Sequence, residues 1–215
     1  MGRSVTLARL SLDTARAYGA LEEALLGPLD FPTASGYRRF LCLLYGFHSP
    51  LEAALALTPG IELDHIAPRV KSPRIASDLL SLGLTGQEFG LLARRQSIDA
   101  FANTAQAYGF MYATERMMLQ VEALRTRLEC ETPVLLALAN QFIYSYANIA
   151  DLRWRQYGAL LDRTAQRYEL DTREITEGAK RGITSFLDWV AMHRPVRHER
   201  SEALEPALRP SAQSL

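Results

Sequence analysis

The sequence has 215 residues, of which 48% are hydrophobic and 22% charged, and this is enough apolar material for the core of one domain. Lysine plus arginine equals aspartate plus glutamate at 24 each, so the net charge excludes a strong attraction to nucleic acid or to an anionic membrane. No signal-peptide core and no run of about 20 apolar residues is present, so we expect a cytoplasmic protein without a membrane segment.

The first half of the chain predicts helices separated by prolines and glycines. A first amphipathic helix is expected over residues 7–26, and a second over 33–57 with a bend at Pro50. Residues 58–72 favour a connecting loop, and 73–82 a short helix that ends at Gly83. The apolar face of the first helix is predicted to consist of Leu10, Thr14, Ala17, Leu21 and Ala24.

The second half continues the helical pattern. A long helical region is expected over residues 97–129, and another, with breaks, from Thr132 as N-cap and Pro133 as first helical residue to about 168. The last helix is expected over 171–192, where Asp171-Thr-Arg-Glu174 fits a capping box.

No window alternates apolar and polar residues for long enough to indicate a sheet, so the fold class predicted is all-α. We expect a single helical domain over residues 1–195. Residues 196–215 are polar and rich in proline, alanine and serine, and they favour a disordered tail.

Four segments in order carry a resemblance to a known family. They are Tyr37-Arg-Arg-Phe-Leu-Cys-Leu-Leu-Tyr-Gly-Phe-His-Ser-Pro-Leu-Glu52, residues 63–83 with Arg69 and Lys71, Gly109-Phe-Met-Tyr-Ala-Thr-Glu115, and Trp154-Arg-Gln-Tyr-Gly-Ala-Leu-Leu161. Together they resemble the bacterial haem oxygenases. The resemblance implies a haem-oxygenase-like helical bundle, in which haem lies between a first helix with a proximal histidine and a distal helix whose glycines approach the iron.

The chain departs from the family pattern at both of these places. In the first helix, Tyr18 stands four residues after Thr14, where the family has its histidine. In the distal run, Arg116, Gln120 and Val121 stand where the family has glycines. Because glycine permits close approach of backbone to a ligand, these side chains are expected to narrow or fill the distal pocket.

The resemblance also implies which residues would meet a cofactor. Tyr18, Tyr112, Glu115, Arg116 and Arg155 are the candidates for binding haem or another tetrapyrrole, with Arg155 toward a propionate. Tyr18 is the candidate metal ligand, since a tyrosine phenolate can ligate ferric haem. The alternative is that Tyr18 is an aromatic packing residue.

The cysteines, two methionines and an aromatic group give weaker indications of a binding site. Cys42 and Cys130 lack a C-x-x-C spacing and are expected to be buried small hydrophobes. Met117 and Met118 could supply a thioether ligand but favour core packing. An aromatic group, which could line a flat cofactor but favours core, consists of Phe142, Tyr144, Tyr146, Trp154 and Tyr157.

Three functions follow as hypotheses. The first is a divergent haem-oxygenase-like protein that holds haem or another tetrapyrrole, in which oxidative cleavage to biliverdin requires some other residue to ligate iron. The second is a ligand-free helical interaction module with a closed pocket, which binds a protein partner or forms a homodimer. The third is an enzyme on the same scaffold with an unrelated small substrate. An open slot beside Tyr18 favours the first, and a packed one the second.

Overall fold

In the computed structural model of the chain, residues 4–27, 33–96, 98–167 and 171–193 are described, and all of their regular structure is helical. This confirms the all-α prediction. The helices are α1 (Val5–Asp13), α2 (Ala15–Leu26), α3 (Ala34–Ala56), α4 (Leu63–Ile66), α5 (Ser72–Ser81), α6 (Gly86–Gly90), α7 (Thr104–Phe110), α8 (Tyr112–Glu131), α9 (Pro133–Leu138), α10 (Ala150–Arg167) and α11 (Asp171–Met192).

The first predicted helix is broken in two at Thr14. Its backbone leaves the helical region, with φ −112° and ψ 3°, and its hydroxyl donates to the carbonyl of Leu10 at 2.6 Å. After the break, Tyr18, Leu21 and Leu25 face the core. Ala17 is exposed, so its predicted place on the buried face is wrong. The larger side chains occupy the core positions because they remove more apolar area from water.

Local sequence signals predict the bounds of α3 and α5 to within one residue at each end. The Thr33 hydroxyl accepts the Gly36 amide at the start of α3, and the helix continues through Pro50 to Ala56. Gly83 follows α5 with φ +83°, a conformation that glycine adopts without strain. The loop predicted over residues 58–72 is partly wrong, since it contains α4 and a 3₁₀ turn over Ala67–Arg69.

The predicted helix over 97–129 begins later than expected. Residues 98–103 are not helical, and α7 starts after Asn103, whose side chain accepts the amide of Gln106. A further helix, α6, was not predicted. It has a capping box in which Thr85 and Glu88 satisfy each other's backbone amides.

Thr132 occupies the N-cap position of α9, as predicted, with Pro133 in the first turn. Its hydroxyl does not cap α9, because it donates back to the carbonyl of Leu128 at the end of α8. The predicted cap at Asp171 depends on a side chain that is not described. The predicted tail over residues 196–215 lies outside the described residues.

Most of the predicted aromatic group lies in the core. Phe142, Tyr146 and Tyr157 are buried, whereas Trp154 is partly buried and Tyr144 is exposed. The cysteines are free; Cys42 is only partly buried and Cys130 is exposed, so the prediction that both are buried is wrong. Cys130 lies in the last turn of α8, beyond Leu128, the last buried residue of that helix.

Helices α7 and α11 cross in direct backbone contact, and glycines make this possible. A Cβ atom on Gly109 would overlap the backbone of Ile175, and one on Gly182 would overlap the backbone of Phe110. Phe110 and Phe186 both contact Phe47 of α3, whose ring stacks on that of Phe186 with centroids 4.1 Å apart.

Replacing Gly109 with alanine is expected to lower the free energy of unfolding by about 1 to 3 kcal/mol, because the added methyl group must displace backbone rather than a side chain. The matched control is Gly19→Ala in the exposed part of α2, where a Cβ meets no atom within 4 Å. It should gain about 0.5 to 1 kcal/mol from helix propensity. Urea unfolding of both variants measures the difference, and equal effects would contradict the close crossing.

Candidate functional site

Three of the residues predicted to bind a cofactor form one cluster between α2 and α8. The guanidinium of Arg116 lies over the ring of Tyr18, 4.1 Å from its centroid, and donates to the hydroxyl of Tyr112 at 2.6 Å. The rings of Tyr18 and Tyr112 meet edge to face at a centroid distance of 6.4 Å. We call this group the Tyr18–Tyr112–Arg116 cluster.

Two further helices, α1 and α10, contact Tyr112 of the cluster. The Tyr112 hydroxyl donates to Ser11 of α1 at 3.3 Å, and the Tyr112 ring packs against Trp154 of α10. Tyr112 is therefore held by α1, α2 and α10 together, and it is completely buried. The guanidinium of Arg116 is partly exposed, and the electron-rich face of the Tyr18 ring attracts its positive charge.

Tyr18 is held as a neutral phenol. Burial raises its pKa well above the ordinary value, and the charge of Glu22 adds to this, while Arg116 opposes it only in part. The side chain is 2% exposed. A phenolate, which is the form that ligates ferric iron, is therefore disfavoured at this position.

This arrangement of side chains does not fit a haem in the manner that the family resemblance implies. Arg116 covers one face of the Tyr18 ring, and Met117, Met118 and Val121 of α8 are buried. Of the three residues that stand where the family has glycines, Arg116 thus lies against α2. That haem is bound remains a prediction.

Glu115 belongs to a different cluster from Arg116, although the two are adjacent in sequence. Its carboxylate accepts the hydroxyl of Tyr146 at 3.0 and 3.2 Å, and Arg69 Nε lies 3.3 Å from Oε2 as a charge contact without hydrogen-bond geometry. Arg69 also donates to the carbonyl of His65 at 3.0 Å. Both charged side chains are buried.

Lys71 completes this buried charge cluster. Its ammonium lies 3.6 Å from the centroid of the Tyr146 ring, and the side chain is almost wholly buried. Burial lowers its pKa to about 8, a shift that the carboxylates of Glu115 and Glu52 oppose and that the charges of Arg74 and Arg69 increase.

Glu52 of α3 ties the cluster to the backbone. Its carboxylate accepts the amides of Lys71 at 2.7 Å and Ser72 at 3.1 Å, and His48 Nδ1 lies 3.7 Å away. Burial alone would raise the pKa of Glu52, but the contacts with His48 and with these amides outweigh it and hold the pKa below the ordinary value. The cluster therefore links α3, the segment before α5, and α8.

Arg155 is separate from both clusters. It is exposed on α10, and its Nε donates to the carbonyl of Asp151 at 3.3 Å, one turn earlier in the same helix. The residues brought together are thus Tyr18, Tyr112 and Arg116, while Glu115 and Arg155 lie elsewhere. The pairing of Glu115 with Arg69 and Lys71 was not predicted; the only signal was the presence of both cations in the segment that resembles the family.

Comparisons with known proteins add no assignment. No protein-family model matches the sequence, and no curated protein is significantly similar to it. Within the described ranges, no group of three or more histidine, cysteine, aspartate or glutamate side chains could hold a metal ion. None of the helices in the described part of the chain is both long and apolar enough to cross a membrane.

The buried ammonium of Lys71 makes a specific pH dependence of stability expected. Its pKa is about 8 in the folded protein and 10.5 in the reference state, so the unfolded chain binds more protons between these values. Stability should therefore rise with pH in this window, while below about pH 8 the full cost of the buried charge is present. The groups facing Lys71 are Glu115, Glu52, Arg69, Arg74 and Tyr146.

The measurement is the free energy of unfolding of the wild type minus that of Lys71→Met, in urea, from pH 7 to 9.5. Taking the difference removes the titration of groups common to both proteins. The free energy of unfolding of the wild type should increase relative to that of the variant as the pH rises above about 8. A difference that stays constant over this range would show that Lys71 keeps an ordinary pKa.

Proposed function

We propose that this protein is a non-catalytic member of the haem-oxygenase-like helical class whose cofactor slot is closed, and that it acts by binding a protein partner. The observation that carries the proposal is the position of Arg116, stacked on Tyr18 and hydrogen-bonded to Tyr112. Opening this slot for a flat ligand would break both contacts. It would also separate an edge-to-face aromatic pair, a contact worth about 0.5 to 1.5 kcal/mol.

The electrostatics of the slot support the same function. A haem iron would require an ionised or otherwise electron-rich ligand, whereas burial favours the neutral phenol of Tyr18. The thioethers of Met117 and Met118 are buried among apolar side chains, where methionine acts as packing material.

A surface feature supports the interaction role. Every residue of α9, Pro133-Val-Leu-Leu-Ala-Leu138, is apolar, which is typical of a helix that is buried on all sides. Leu135 and Leu136 face the core, yet Val134 is 74% and Leu138 61% exposed, one helical turn apart. We call this pair the α9 face and propose that a protein with an apolar patch covers it.

Binding of haem or another tetrapyrrole is the second candidate function. One observation favours it, namely that Tyr18, Tyr112 and Arg116 converge on one place, as the family resemblance predicts. Arg116 is the least buried of the three, and a displaced guanidinium could meet a propionate.

Titration of the purified protein with hemin tests the closed slot. The wild type and Tyr18→Phe should give the same spectra, without a saturable shift of the Soret band. Arg116→Ala removes the group that covers Tyr18 and should increase hemin binding, while Arg125→Ala, on the same helix but outside the cluster, should not.

A one-to-one Soret shift in the wild type, with phenolate charge-transfer bands that disappear in Tyr18→Phe, would replace the first function with the second. If Arg116→Ala binds hemin no better than Arg125→Ala, Arg116 is not the closing group.

The α9 face is tested by cross-linking a tagged chain to its partners in the native host. Val134→Ser combined with Leu138→Ser should lose a partner that the wild type captures, because the apolar contact area is removed. Leu57→Ser is the matched control, since Leu57 is 75% exposed at the end of α3. If the double variant and the control capture the same proteins, α9 is not the interface. A second copy of the chain among the products would identify the partner as a homodimer.

A further inference from the structure

A pocket of about 460 Å³ lies on a different part of the molecule from the Tyr18–Tyr112–Arg116 cluster. One wall is the first half of α3, another is the segment around Leu92 and Ala93, and the third is the end of α11 with Trp189 and His193. Its volume falls in the range of pockets that hold small organic ligands. We call it the α3–α11 pocket.

The base of the pocket is fixed by close packing. The Trp189 ring lies against Gly46 of α3 so closely that a Cβ there would overlap it, and the indole NH donates to the carbonyl of Leu43 at 2.9 Å. The amide of Arg95 donates to the carbonyl of Gly46 at 2.9 Å and holds the neighbouring segment in place. A pocket with such a base is pre-formed.

The walls are mostly apolar. Cys42, Leu43 and Leu92 are partly buried and pack against the core, and the indole of Trp189, which is 3% exposed, forms the base. The ring of His193 lies over that of Trp189 with centroids 3.7 Å apart. An apolar body would gain free energy by covering these side chains.

The polar side of the pocket carries positive charge. Arg38 and Arg39 of α3 line it, and none of the described lining residues has a carboxylate. Arg38 is paired at 3.7 Å with Glu88, which lies outside the pocket. The guanidinium of Arg39 has no ion-pair or hydrogen-bond partner among the residues that the structure describes.

From this combination we infer that the α3–α11 pocket binds an amphipathic monoanion, with an aliphatic or aromatic body on the Leu43, Leu92 and Trp189 walls and a carboxylate at Arg39. An arginine presents a planar fork that matches a carboxylate in two parallel hydrogen bonds. The site requires no change of the Tyr18–Tyr112–Arg116 cluster, so it is independent of the proposed function.

The test uses decanoate as the probe and decanol as its neutral counterpart. The sequence has two tryptophans, so in a Trp154→Phe background the fluorescence of Trp189 reports on the pocket alone. Decanoate should give a saturable change at one molecule per chain and bind more tightly than decanol. Arg39→Gln should weaken decanoate binding about tenfold or more, since a charged hydrogen bond is lost. Arg16→Gln, an exposed arginine of α2, should leave it unchanged.

The cysteines provide a second readout that does not depend on any substitution. Cys42 lines the pocket, and Cys130 is exposed on α8. Decanoate should slow the alkylation of Cys42, followed by mass spectrometry, and leave that of Cys130 unaffected. Equal binding of decanoate and decanol, equal effects of Arg39→Gln and Arg16→Gln, or alkylation of Cys42 that decanoate does not slow would each overturn the inference.

Discussion

A carboxylate buried near the start of α8 constrains much of the structure around it. Glu115 accepts the Tyr146 hydroxyl, and the cations of Arg69 and Lys71 lie near its carboxylate. Removing one partner of a buried charge pair typically costs about 3 to 5 kcal/mol, because the other charge is left without compensation. These contacts therefore constrain the rotation of α8 about its axis.

Once the rotation of α8 is fixed, the place of Arg116 follows. Consecutive residues in a helix point about 100° apart, since there are about 3.6 residues per turn. With Glu115 directed toward Arg69, the next side chain turns toward α2 and meets Tyr18 and Tyr112. The guanidinium is weakly hydrated and planar, so two aromatic rings and one hydroxyl suffice to hold it there. The position of Arg116 beside Tyr18 is thus linked to that of the charge cluster, which lies about 100° around the same helix.

The sequence predicts some elements well because their signals are local. The bounds of α3, α5 and α11 follow from Thr33 as cap, from Gly83 as terminator and from the apolar period. The break at Thr14 was not predictable in this way, because threonine is compatible with a helix and only its backbone dihedral angles, φ −112° and ψ 3°, reveal the break. The helix α6 was missed for a different reason, namely that its capping box lies in a segment without apolar periodicity.

The residues of the candidate site were also predicted unequally. The family resemblance named Tyr18, Tyr112 and Arg116 as candidates to meet a cofactor, but their direct contact with one another was not predicted. The partnership of Glu115 with Arg69 and Lys71 could not be predicted, because it joins residues that are distant in sequence and depends on burial that no local pattern encodes. Arg155 was assigned to the cofactor by resemblance alone, yet it lies exposed on α10 and donates to the carbonyl of Asp151.

Two arginines show why the slot and the α3–α11 pocket differ in what they can accept. Arg116 already contacts the Tyr18 ring and the Tyr112 hydroxyl, so a ligand in the slot must first replace these contacts. Arg39 is exposed and has no partner among the described residues, so an anion that reaches it displaces water but breaks no contact within the protein. Net affinity depends on this difference rather than on the number of charges near a pocket, because only the surplus over lost contacts, including those with water, contributes to binding. Under the two proposals, the same residue type therefore holds one site closed and leaves the other accessible to a ligand.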